Sequence, residues 1–218
     1  MTLEITVRGS AEQHHAAERA IVSMAAAIEG AEKKRVFEDA VAIQEPLASQ
    51  LKELVDLNAV TTWSSDQVRV FSHRPWGPDG RRGEMVHVAR VQVIAEFVDF
   101  ERLSGFLDYW SGTKGVEIGG IAWDVTAKNR RTYEAEVRKS AVDDAVAKAQ
   151  SYANAVRRGK VTAEKLADPG MLSNQPEPPV PMVYKSASMD MAGGQPELDL
   201  TPEDIVIRVE VDALFRAE

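Results

Sequence analysis

The chain has 218 residues, 44% of them hydrophobic and 28% charged, with no cysteine and a formal net charge of -8. That length and composition suit a soluble globular protein able to bury a full core. The negative balance argues against a general affinity for nucleic acid, and the missing cysteine excludes disulfides, thiolate nucleophiles and Cys-ligated zinc.

Leu3, Ile5 and Val7 alternate with Glu4, Thr6 and Arg8, the period of a half-buried strand ending at Gly9. Strand patterning begins at once, leaving no space for a signal peptide, and no run approaches the ~18 apolar residues of a membrane span. A cytoplasmic protein is therefore expected. Between Ala20 and Gly30 the alanine content favours helix, but Val22, Met24 and Ile28 fall two or four apart and support a strand.

From Ala31 to Asp56 the period is helical, with Phe37, Ala40, Val41, Leu47, Leu51, Leu54 and Val55 on the buried face. Pro46 should kink or split this helix, because it removes a backbone donor. Residues 61–73 and 85–97 read as two long strands, the second with a phase slip at Ala89-Arg90 that suggests a bulge. The loop between them, with Pro75, Gly77, Pro78, Gly80 and Gly83, makes the pair an extended hairpin over 60–97.

Asp99 is a candidate N-cap for a short helix whose Leu103, Phe106, Leu107 and Trp110 share a face. A strand over 116–126 then leads through Asn129, a candidate cap, into a long helix ending near Val156. Ala141, Ala145, Ala149, Tyr152, Ala153 and Val156 recur three or four apart on it, a stripe able to sit close to a sheet. Residues 158–181 are weakly patterned and Pro-rich, a loop or stiff linker, and Val183–Met189 could form a short strand. Alternation of Ile205, Ile207, Val209, Val211 and Ala213 gives a closing strand. This mixture points to α+β, an antiparallel or mixed sheet packed by helices, with a long projecting hairpin.

The order of these elements resembles the SIMPL-domain family, which includes exported bacterial immunogenic and oxidative-stress-defence proteins and an animal kinase-associated signalling protein. The matching stretches are Ile5–Glu12, Gly115–Trp123, the helix Arg138–Ala153 with its Lys148-Ala149 pair, and Leu200–Val211. Together they span nearly the whole chain, read as a single SIMPL-like domain over 1–218. The resemblance also requires a strand at 20–30. It implies a tendency to form hollow homo-oligomers and brings no catalytic motif. Many relatives carry a signal peptide, which is not expected here from the strand pattern at Leu3–Arg8, and the family offers no counterpart for the loop 74–83 or the tract 168–181.

No catalytic, cofactor-binding or metal site emerges. His14-His15 has only Glu12 and Glu18 as further ligands and reads as a solvated turn. His73 and His87 could lie opposite each other across the hairpin, though ordinary surface pairing is the simpler reading. Asp143-Asp144 point about 100° apart on a helix, poor geometry for an acid-base pair. Gly119-Gly120 is too sparse to cradle phosphate and suggests a turn or bulge. The clusters Lys33-Lys34-Arg35 and Arg157-Arg158-Gly159-Lys160 read as solvated helix ends.

Trp110 and Trp123 belong to apolar faces, whereas Trp76 lies on the loop with Arg74, Arg81 and Arg82. An aromatic among arginines suits a contact with a partner subunit. The expectation is a non-enzymatic protein with a stress-related role that acts through a homo-oligomer larger than a dimer or through partner contacts. It needs no cofactor and binds no nucleic acid. The alternatives are a small-molecule binding module with a pocket between sheet and helices, and an enzyme of unrecognised type.

Overall fold

The computed structural model describes residues 2–76, 80–172 and 200–218. In chain order its elements are β1 (Leu3–His15), β2 (Arg19–Gly30), α1 (Lys33–Asp56), β3 (Val60–Ser65), β4 (Arg69–His73) and β5 (Val86–Phe97), followed by α2 (Phe100–Ser111), β6 (Val116–Asp124), α3 (Ala127–Ala155), β7 (Val161–Ala167) and β8 (Ile205–Ala217). Every strand pairing is antiparallel, and the class is α+β as the pattern implies. The described residues form two compact units, each with its own sheet.

One unit holds residues 2–16, 125–172 and 204–218. Its sheet has the order β1-β8-β7. β1 does not end at Gly9, because β8 pairs with it without interruption from Leu3–Ala217 to His15–Ile205. The glycine is instead a notch. A side chain there would collide with the backbone of α3 at Ala141 and Ala145. Ala141, Ala145, Ala149 and Ala153 are fully buried against β1 and β8, so the small-residue stripe does seat the helix on the sheet.

Tyr152 and Val156 do not belong to that stripe, with 60% and 56% of their surfaces exposed. A four-residue spacing keeps the alanines in one row, while Tyr152 falls beside it, and Val156 lies beyond the helix end, where Arg157 turns left-handed at φ 58°. The N-cap is Thr126 rather than Asn129, its hydroxyl accepting from the Asn129 N–H at 3.3 Å. Residues 161–167, within the stretch that reads as a loop, form β7. As an edge strand it is exposed along most of its length, so it carries no hydrophobic alternation. The candidate strand 183–189 and the prolines at 176–181 lie outside the described residues.

The second unit holds residues 17–76, 80–124 and 200–203. Its sheet has the order β3-β5-β2-β6, with β4 also on β5. Val22 and Met24 of β2 and Val93 and Phe97 of β5 pack against Leu47 and Leu51 of α1 and Leu103 and Leu107 of α2. The alanine-rich segment is a strand because Ala25 and Ala26 sit between two neighbouring strands, where small side chains suffice. Asp99 caps α2 as its position implies, accepting from the Arg102 N–H at 3.0 Å.

Pro46 does not split α1, which stays helical from Lys33 to Asp56. Pro46 and Ala42, whose carbonyl loses its partner, both lie on the exposed side, where water can take the freed acceptor. Val36 occupies the buried position rather than Phe37, which is 43% exposed. The expected single strand over 61–73 is broken. Ser65 faces Val93 while Arg69 faces Arg90, so residues 66–68 span only two positions of β5. β5 itself runs in unbroken register with β2, so the phase slip at Ala89-Arg90 marks no bulge in that ladder. Gly119-Gly120 is the expected bulge, two residues of β6 opposing Ser23.

Candidate functional site

The β4–β5 hairpin is not a free ribbon, since β2 lines the other edge of β5 as far as the Gly30–His87 pair. Past that rung only the tip extends. Its last ladder pair is His73–Val86, followed by the Gly83 N–H to Pro75 carbonyl bond at 2.8 Å and an isolated bridge between Trp76 and Arg82. Arg82 lies over the Trp76 ring at 5.4 Å, and 69% of that tryptophan is exposed. A guanidinium over an indole face is attracted by the ring quadrupole. Arg74 and Arg81 are exposed on the same tip. The tip is thus a small basic platform with an aromatic centre.

The histidine expectations need correction. Ser72, not His73, stands opposite His87, and its hydroxyl lies 2.6 Å from His87 Nδ1. His14 and His15 lie within β1 rather than in a turn, because β8 extends the ladder to Ile205. His15 stacks on Tyr133 of α3 at 3.6 Å between centroids. Among the described residues no group of three or more metal-ligating side chains converges. Trp110 is buried as expected and donates from its indole nitrogen to Gln50 at 2.7 Å.

Three polar clusters depend on contacts between residues remote in sequence. Asp212 is the buried acid of the β8 ladder, 7% exposed, and takes a two-pronged contact from Arg8 at 2.7 and 3.1 Å plus the Gly170 N–H at 2.7 Å. Hydrogen bonding from Arg8, reinforced by Gly170, outweighs burial and holds its carboxyl below the usual carboxylate range. Arg19 bridges Asp124 at 2.7 Å and Glu96 at 2.8 Å, and the Asp124 bond keeps the guanidinium more firmly charged than usual.

Asp144, expected to be solvated, instead accepts from Lys148 at 2.6 Å and from the Ser10 N–H at 2.8 Å. Those bonds lower its pKa, with Lys148 the larger cause. Lys148 also donates to the Arg8 carbonyl at 3.0 Å. One helix ion pair therefore satisfies a donor and an acceptor on the outer edge of β1. Lys148 follows Asp144 at the four-residue spacing of a helix ion pair, but the contacts to Ser10, Arg8, Glu96 and Asp124 arise only from the register of remote strands.

The second unit also holds a groove of about 600 Å³ between the end of β2 and the start of α1. Glu29, Glu32 and Asp39 line it together with Arg35 and Lys114. Gly115 closes one side with φ +85°, where a side chain would strike Ile28 and Ile43.

The fold is an α+β pair of antiparallel sheets whose small-residue helix seats on a notched strand. The sequence model of the SIMPL family, described as a protein family of unknown function (DUF541), matches residues 5–215. The chain belongs to the SIMPL family. A search among curated proteins finds no match for it. No helix among the described residues is long and apolar enough to cross a membrane.

Proposed function

We propose that this SIMPL-family chain is a non-enzymatic, self-assembling protein that acts as a homo-oligomer larger than a dimer. The observation that carries the reading is the hairpin tip, where exposed Trp76 lies under Arg82 with Arg74 and Arg81 beside it. Aromatic and arginine side chains are the residues most enriched at the centres of protein interfaces. The outer edge of β4 gives a second reason. It presents Phe71, which is 52% exposed, on a strand with no neighbour beyond it among the described residues. Open strand edges invite pairing with another chain. The polar clusters at Asp212, Arg19 and Asp144 favour a non-enzymatic role, since each acid or base there is engaged in an ion pair that fixes structure. A stress-related role is part of the proposal and draws on the family resemblance alone.

Light scattering after size-exclusion chromatography tests the assembly. The parent is expected to exceed a dimer's mass at micromolar concentration. Replacing residues 75–83 by Asn-Gly should preserve the circular dichroism spectrum and lower the mass. A monomeric parent overturns the proposal.

A further inference from the structure

β2 outruns β6. Their ladder ends where Ala26 faces Val116, and one further bond runs from the Ala27 N–H to the Gly115 carbonyl at 2.7 Å. Backbone groups alternate along a strand, so the next N–H and C=O turned to that side belong to Glu29. This bare edge forms one wall of the groove of about 600 Å³, and the first turns of α1 form another. Of the nearby cations, Lys34 pairs with Glu38 at 3.6 Å and Arg35 with Asp39 at 3.9 Å, while Lys33 and Lys114 have no ion pair among the described residues. Glu29 and Glu32 are left without an ion-pair partner among the described residues.

We propose that this groove receives the hairpin tip of a second copy of the chain. The inference rests on the homo-oligomer reading and adds the surface that the tip meets. Charge selects the occupant. From Arg74 to Gly83 the chain carries three arginines against one aspartate, an excess of positive charge that suits a groove lined by three carboxylates and two cations. Shape agrees, because a narrow antiparallel ribbon can lie along an open strand edge and take up its free donors and acceptors. The groove's apolar floor, Ala27, Ile28 and Val36, suits the exposed Trp76 ring. Tip and groove are different patches, so a head-to-tail contact between them can repeat from subunit to subunit and forms a ring where the rotation closes.

The chain's lack of cysteine makes a direct test possible. Glu32→Cys and Arg81→Cys variants are purified separately, one isotopically labelled, then mixed and mildly oxidised. A disulfide joining a labelled to an unlabelled chain is expected in at least roughly tenfold excess over that formed when Lys139→Cys on α3 replaces Glu32→Cys. In a second arm, Glu29→Arg with Glu32→Arg should weaken assembly on the order of tenfold or more, and adding Arg81→Glu with Arg82→Glu in the same chain should restore it. All four positions are exposed, and circular dichroism checks that each variant folds. If tip variants lower the mass while groove variants do not, and no mixed disulfide forms, the groove inference falls and self-assembly stands. A parent that is already monomeric removes both.

Discussion

Gly9→Ala tests how closely α3 sits on its sheet. The new methyl would overlap the Ala141 carbonyl oxygen and stand 2.7 Å from Ala145 Cβ and 2.8 Å from Ala145 N. Two of these three neighbours are helix backbone, so no side-chain rotation relieves the clash, and the helix must lift from β1. Two effects compete. Restricting the unfolded chain by replacing glycine stabilises by about 0.4–1 kcal/mol. Overpacking a well-filled interface costs about 1–3 kcal/mol and occasionally more. With contacts this short the upper end applies, and the balance is a net loss of about 2 kcal/mol.

For a chain of this size each kcal/mol moves the melting temperature by about 2–4 °C, so a fall of about 4–8 °C is expected. Urea titration should give a lower midpoint with an unchanged slope, the mark of lost stability without altered compactness. Gly120→Ala is the control, because a side chain there meets nothing within 4 Å, and it should change stability by no more than about 0.5 kcal/mol. A Gly9→Ala protein that melts at or above the parent temperature would refute the close seating of α3.

Asp212→Asn removes the charge-assisted bonds from Arg8 and should cost about 1.5–3 kcal/mol. Because the folded carboxyl sits below its unfolded value of about 3.9, its contribution is full above that pH and is lost as pH falls through the folded value. Parent and variant should therefore converge in acid urea titrations, and a gap that persists unchanged to the lowest pH would contradict the ion pair. Gly115→Ala should destabilise by about 1–2 kcal/mol from left-handed strain alone, with further loss from contacts at 2.5 Å to Ile28 and 2.7 Å to Ile43, and an unshifted unfolding midpoint would argue against that loop geometry. Asp144→Ala strips the acceptor from the Ser10 N–H, so hydrogen exchange at that amide should accelerate by about tenfold or more. Unaltered protection there would mean that the edge of β1 is covered by something else.

The architecture was legible where local chemistry and burial agree. Asp99 with the Leu103–Trp110 face announces α2, and alternation from Ile205 announces β8, because each pattern lies within one element. Four alanines at a constant spacing identify the seated face of α3, but spacing alone cannot exclude Tyr152, whose exposure depends on how wide the contact is. β7 went unread because its burial is slight and its partner, β8, is remote in sequence. The tip residues Arg74, Trp76, Arg81 and Arg82 could be nominated from composition, while the Trp76–Arg82 contact needed the hairpin register. The Arg8–Asp212 and Asp144–Ser10 contacts are invisible by the same logic. They join the first strand to the last strand and the long helix, so only the three-dimensional register creates them.

The strand edges bear on the proposed self-association. In the first sheet, Asp144 and Lys148 take up the Ser10 donor and the Arg8 acceptor, so β1 offers those groups to no newcomer. The opposite edge, β7, is short and carries Glu164 and Lys165, charges that discourage strand addition. In the second sheet the end of β2 past Ala27 and the outer side of β4 carry no such cover among the described residues. Exposed Phe71 makes the β4 edge more adhesive still. These bare edges lie near the basic aromatic tip and support the proposed self-association at that end of the second sheet.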